Sequence, residues 1–285
     1  VRPRWCSMAI SAAYSICSMG NSISSHIAAA AMEQAVSDAK AHGVGICGVT
    51  NSNHFGAAAL YSRMAAAQGM IGISMTNVRP LIAAPGAKAA VVGNNPLSIS
   101  IPTYCEFPFM LDMSMSVVAG GKLHLAAAKG ETIPKDWAVD RNGIPTDDPK
   151  AALEGFLLPI GGYKGLGLAY AVDILSGVIT GGLFADEMRS MYHDPDVPSQ
   201  TGHFFMAIDL SAWITPEEMR RRMLHYHEFI QGVPMADGAP PLIFPGELEQ
   251  QRERERRISG IPVPLSTLET LQNLKAHYSL KTDLI

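Results

Sequence analysis

Between Ile27 and Thr76 the hydrophobic period changes repeatedly, and two of the changes fall at a glycine. Residues Ile27 to His42 carry apolar side chains at helical spacing, with Ser25 as the expected N-cap and Gly43 as the expected left-handed stop. The next run, VGICGVT, has the length and texture of a buried strand. A polar loop, NSNHFG, then leads into an alanine-rich helix from Ala57 to Gln68, which Gly69 ends before a second apolar strand, MIGISMT. A segment that reads strand, loop, helix, strand must lay its helix on the sheet those strands join, which commits the chain to a mixed architecture.

Beyond Thr76 the texture turns to loops rich in Pro, Gly and Asn, interrupted by AAVVG, LSISIP and FPFMLD, which read as further strands of a sheet. A helix is expected from Ser116 along SVVAGGKLHLAAAKG, then a solvent loop over 140 to 155 with a turn at Asn142-Gly143. GGYKGLG opens an apolar helix running to about Ile179, and GHFFMAID alternates as a strand. Thr215 is the expected cap of the next helix, with Glu217 and Glu218 favourably placed against its dipole. A charged helix, ELEQQRERERR, and an amphipathic one from Ser266 to about Tyr278 follow. Helices and strands mix without regular alternation, which favours α+β over a doubly wound sheet.

Composition excludes several function classes. The 285 residues carry 22 basic and 26 acidic side chains, a formal net charge of -4, with no basic stripe interleaved with aromatics, so nucleic acid is not an expected partner. Cys6, Cys17, Cys47 and Cys105 lack CxxC spacing, which suggests neither a zinc site nor a disulfide framework and points to a reducing cytoplasm. The stretch from Met8 to Met19 is apolar but interrupted, so neither a membrane span nor a signal peptide is expected.

Several motifs fail on context. GVGICG, residues 43 to 48, matches G-x-G-x-x-G, but it follows a helix and enters a strand, the reverse of a dinucleotide turn. No P-loop motif is present. In LHYHE, His225 and His227 sit two apart, so on a helix their side chains diverge and no metal is expected.

Three glycine-bearing polar loops remain: NSNHFG, GNNP together with DMSMS, and GGYKG. In the first, Asn51, Ser52 and Asn53 could fix the tautomer of His54, whose ordinary pKa of ~6.5 suits proton transfer; equally, the loop could be a turn with His54 capping the next helix. In the third, Gly161 and Gly162 permit close backbone approach and Lys164 starts a helix, a place that favours anions, or else the loop is a tight turn with a solvated lysine. Asp112, with Ser114 and Ser116, suits hydroxyl recognition or capping of the helix that follows.

Taken in order and spacing, NSNHFGAAALYSRMAAAQGMIGISMTN, GNNPLSISIP, PFMLDMSMSVVAGGK, LLPIGGYKGLGLAYAVDILSGVITGG, GHFFMAID and FPGELEQ...GIPVP resemble the malate/L-lactate dehydrogenase family of NAD(P)-dependent 2-hydroxyacid oxidoreductases, over roughly residues 27 to 270. The resemblance implies an α+β fold with a non-Rossmann cofactor domain, a largely antiparallel mixed sheet flanked by helices, plus a mostly helical part, in a cytoplasmic homodimer. It divides the chain into an N-terminal part (1–50), a cofactor-binding and catalytic domain (51–210) and a C-terminal helical part packing back on the first (211–285). It makes His54 the proton acceptor and places the NAD or NADP contacts at His54, Phe55, Gly56, Ala57 and Ala58, at Asp112, Met113 and Ser114, at Lys164, and at Pro245, Gly246 and Glu247. Asn94 stands where many members have a substrate-contacting threonine, and the implied substrate is a small 2-hydroxy or 2-oxo acid such as malate, lactate or sulfolactate, with no metal. Members also carry an Asp-Ser-His-Gly motif and a carboxylate-binding arginine further upstream of His54 than the 53 residues that precede it here, so the sequence is expected to be truncated or altered at its start. The alternative is a catalytically impaired cofactor-binding homologue.

Overall fold

The computed structural model describes residues 24 to 190 and 196 to 281; Cys6, Cys17 and the apolar stretch from Met8 to Met19 lie outside the described residues. Helix α1 (Ser24–His42) stops at Gly43, whose φ of 85° is the left-handed stop the sequence demands. Ser25 lies in the first turn of α1 and not at its cap, because the helix already includes Ser24. Strand β1 (Val44–Ser52), helix α2 (Ala59–Ala66) and strand β2 (Met70–Thr76) then complete the expected unit, with Gly69 at φ 79° between the last two.

The two strands are not neighbours. After β3 (Ile82–Ala83), β4 (Ala90–Val92), β5 (Leu97–Ile101) and β6 (Phe109–Met113), the chain runs through α3 (Gly120–Lys129), β7 (Ala138–Val139), α4 (Pro149–Glu154), β8 (Phe156–Leu157) and α5 (Tyr163–Asp173). A π turn over Ile174–Val178 continues α5 before β9 (Thr201–Asp209) enters between β1 and β2, antiparallel to both. The main sheet has the order β1-β9-β2-β5-β6, and every pairing in it is antiparallel. A smaller sheet has the order β4-β3-β8-β7 and contains one parallel pairing, Ile82 with Leu157. AAVVG therefore supplies a strand to the second sheet, not to the one that holds LSISIP and FPFMLD.

Alternation along β9 divides the core. Phe205 joins Met32, Ala35 and Tyr61 under α1 and α2, whereas its neighbour Phe204 packs with Met75, Ile82 and Leu166. Two glycines let the helices lie close on their strands: a Cβ on Gly45 would fall 1.9 Å from the Ala35 carbonyl oxygen, and one on Gly72 would fall 2.1 Å from that of Ser62.

Two local expectations fail for identifiable reasons. Ser116 is bridged to Pro159 and its hydroxyl donates to the Val118 carbonyl at 2.8 Å, so α3 starts only at Gly120, after an extended Ala119. Helix α4 lies inside the expected solvent loop, where the Asp148 carboxylate accepts from the Lys150 amide and Pro149 occupies the first turn, a start signal that the turn at Asn142-Gly143 had masked. Thr215 caps α6 (Pro216–Gln231) as expected, by accepting from the Glu218 amide at 3.3 Å.

The chain separates into two units, one reaching Pro245 and the other, from Gly246, containing α7 (Glu247–Ser259) and α8 (Leu265–His277). Among the described residues no helix is long and apolar enough to cross a membrane. Gly72→Ala is expected to destabilise the protein by about 1–3 kcal/mol through overpacking against α2. In α5, nothing lies within 4 Å of a Cβ added at Gly167, and Gly167→Ala should be neutral or stabilising. Urea midpoints at unchanged m distinguish the two variants.

Candidate active site

The pairing of β1 with β9 shifts register between Val49 and Ser52, and Asn51 there adopts φ 56°. Such irregularities re-aim the chain leaving a strand, here into the loop carrying His54. The asparagines anchor that loop: the Asn51 side-chain oxygen accepts from Gln200 at 3.2 Å, that of Asn53 accepts from the Ser199 hydroxyl at 2.6 Å, and the Asn53 amide donates to Ser24 at 3.2 Å. The hydrogen bond that reaches the imidazole comes instead from the Gly56 amide, which donates to Nδ1 of His54 at 3.2 Å. The neutral ring therefore carries its proton on Nε2 and offers its lone pair at Nδ1.

Behind His54 stands a second histidine that sequence reasoning passed over. His203 of β9 is fully buried, its Nδ1 lies 2.7 Å from the Thr76 hydroxyl, and its ring stacks on Phe55 at a centroid distance of 4.4 Å. Thr76 donates its own proton to the Gly202 carbonyl at 2.8 Å, so toward His203 it can only accept, which places the imidazole proton on Nδ1. Burial, reinforced by the nearby His54, pushes the His203 pKa down to about 3. Phe55, expected at the cofactor, packs between His203 and Tyr61, and the Tyr61 hydroxyl donates to its carbonyl.

Backbone hydrogen bonds gather the remaining loops. Met115 donates from its amide to Asn94 at 2.8 Å and accepts at its carbonyl from Ile160 at 2.9 Å, which ties GNNP, DMSMS and the chain entering GGYKG together. Asp112 caps a helix, but not the one that follows it: its Oδ2 accepts from the Ala59 amide at 3.2 Å, at the start of α2 and beside Ala57 and Ala58. Met113 pairs with Leu97, and the Ser114 hydroxyl lies 3.1 Å from that of Ser116. Gly161 and Gly162 adopt φ 59° and 64° with open space where side chains would be, and the exposed Lys164 follows in the first turn of α5. The Pro245 carbonyl accepts from the Met110 amide at 3.1 Å, while Gly246, at φ 100°, and Glu247 open α7 in the second unit.

A cleft of about 210 Å³ unites His54, Phe55, Gly56 and Asn94 with residues the sequence did not single out, among them Asn77, Arg79, Arg189 and Ser199. Among the described residues two guanidiniums and no carboxylate line it. His225 and His227 lie apart from it on α6, with the His227 ring edge-on to Phe107 and Phe244. Among the described residues no group of three or more potential ligands could hold a metal ion.

An imidazole opening on a cleft lined by guanidiniums suits proton transfer at a small anion. The bare glycine turn and lysine at a helix N-terminus suit the phosphates of a dinucleotide. The malate/L-lactate dehydrogenase family matches residues 10–272, and the chain belongs to that family. It is 36% identical over 266 residues to an L-sulfolactate dehydrogenase of Methanothermobacter thermautotrophicus, covering 93% of this chain and 76% of that one. A malate/(S)-sulfolactate dehydrogenase of Methanothermus fervidus is 40% identical over 243 residues, 85% of this chain and 70% of its own. Among solved structures, malate dehydrogenase from Entamoeba histolytica superposes with a TM-score of 0.83 at 30% identity, covering 90% of this chain and 74% of that one. Sulfolactate dehydrogenase from Methanocaldococcus jannaschii gives 0.81 at 36% identity, with 89% and 72% covered.

The neutral His203 sets an acid limit on stability. Its folded pKa, about 3, lies below the ordinary 6.5, so between these values the unfolded chain binds more protons and stability falls as pH falls. Each pH unit within that window should cost up to about 1.4 kcal/mol from this residue alone. Urea unfolding at a series of pH values should show this slope in the wild type, and His203→Gln should flatten it.

Proposed function

We propose that the protein transfers a hydride between NAD or NADP and the α-carbon of a small 2-hydroxy or 2-oxo acid, with His54 as the acid-base group. The observation that carries this reading is the position of His54 on the cleft, its Nδ1 lone pair held only by an exposed amide at 3.2 Å. A substrate hydroxyl can displace that contact and pass its proton to the ring. In the reductive direction the protonated ring returns it to the carbonyl oxygen. When bound, the nicotinamide ring supplies the hydride acceptor or donor. Asn94 offers its amide group to substrate oxygens from the cleft wall, while Asn77, its own amide fully engaged, holds that wall in place.

In this proposal the cofactor phosphates meet the α2 start beside Asp112, Met113 and Ser114, and the Gly161-Gly162 turn with Lys164. In this reading the cofactor sits on a non-Rossmann scaffold, supported by the wholly antiparallel main sheet and by GVGICG serving as the end of α1 and the start of β1. Names of relatives support malate, sulfolactate or a similar acid as substrate. A cytoplasmic homodimer belongs to the same proposal, and the exposed Leu224, Tyr226 and Phe229 on α6 support its dimeric part.

His54→Ala should lower kcat by about 10²- to 10⁴-fold, the usual worth of general acid-base catalysis. Fluorescence titration with NADH and NADPH should show cofactor affinity largely intact in the same variant. Near-normal turnover without the imidazole would remove His54 from the mechanism.

A further inference from the structure

Arg79 and Arg189 line the cleft beside His54, and neither has a hydrogen bond or ion pair to another described residue. Elsewhere on the surface arginines do find acids: Arg141 meets Glu154, Arg221 meets Glu218 at 2.7 Å, and Arg257 meets Glu253 at 2.7 Å. Arg79 differs from these in being half-buried as well as unpaired. Withdrawing a guanidinium from water without a counter-charge is unfavourable, and an anion binding beside it offsets that penalty.

The backbone that carries Arg79 is fixed on both sides. The Val78 amide donates to the fully buried Asn95 at 3.1 Å, and the Leu81 amide donates to Val92 at 2.9 Å. Asn77 donates to Asp173 at 3.0 Å and to Leu183 at 2.9 Å, and accepts from the Gly202 amide at 2.9 Å. Pro80 restrains the following φ. A cation on so rigid a support loses little freedom when it binds, and its planar fork matches a carboxylate or sulfonate.

We propose that Arg79 is a specificity-determining residue that binds a second anionic group of the substrate, so that the cleft selects acids with two anionic groups over acids with one. Arg79 then meets the anionic group other than the 2-carboxylate that every substrate of this class carries. The assignment rests on the reading of the cleft as the hydroxy acid site.

The test uses the full chain as wild type, Arg79→Gln and Arg79→Lys, assayed with malate and sulfolactate, which carry two anionic groups, and lactate, which carries one. Arg79→Gln should lower kcat/KM about 10- to 150-fold for the first two, the range for a lost charged hydrogen bond, and less than about threefold for lactate. Arg79→Lys should recover part of the loss, and melting temperatures should match because Arg79 holds no other described residue. Equal losses on all three substrates, or no loss on any, overturn the assignment. Calorimetric titration of the cofactor-free protein with malonate and with acetate gives a readout independent of turnover. Arg79→Gln should weaken malonate binding about tenfold or more while leaving acetate unaffected. A wild type that binds malonate no better than acetate overturns the proposal. An inactive wild type whose malonate affinity still falls on substitution upholds the anion subsite and removes the hydroxy acid reading instead.

Discussion

The insertion of β9 between β1 and β2 is the constraint on which the rest of the molecule depends. It closes the main sheet by pairing with both strands over most of their lengths. It also delivers Gly202 and His203 to the end of β2, where Gly202 meets Thr76 and Asn77 and His203 stacks under the loop of the candidate base. Without β9 the strands on either side of α2 would have no common partner, and the His54 loop would lose the wall formed by Ser199 and Gln200. Sheet and site are thus closed by the same strand.

Beside that strand two sets of buried polar groups satisfy one another and stiffen the cleft wall. Asn77, Asp173 and the Ala185 amide form one such set, with the Asp173 oxygens accepting at 3.0 and 3.2 Å. Burial pushes the Asp173 carboxyl up, while its bonds to Asn77 and Ala185 oppose the shift. Asn95 forms another set, accepting from Val78 and donating to the Ala169 carbonyl at 2.9 Å, and so joins the β2–β3 connection to α5. Such networks fix positions more strongly than apolar contacts of similar size, because each missing bond would strand a buried polar atom.

What the sequence made legible was local. Gly43 and Gly69 end their helices, Thr215 caps α6, and Asn142-Gly143 turns, because each of these depends on backbone conformation within a few residues. His54 was a balanced choice between base and turn residue until neighbouring motifs were weighed with it, and the geometry then placed it on a cleft with Asn94. Arg79, Arg189 and His203 carried no local signal: an arginine before proline or a histidine in an apolar strand acquires meaning only from what the fold sets opposite it. Asp112 suited either hydroxyl recognition or a cap for the helix that follows it, and its carboxylate instead caps α2, 53 residues away in sequence. Ser116 looked like a helix start because its hydroxyl suits one, yet the bridge to Pro159 had already committed its backbone.

The late position of β9 also bears on how the chain is made. A ribosome releases α1, β1, α2 and β2 well before Thr201–Asp209 exists, so the nascent chain holds two strands whose shared partner is still unsynthesised. Exposed strand edges of this kind invite pairing with the wrong chain. The helices that rest on Gly45 and Gly72 can cover one face of those strands in the interval, but they cannot cover the edges. The interval between translation of Thr76 and of Asp209 is thus one in which topology leaves these edges unpaired by their native partner.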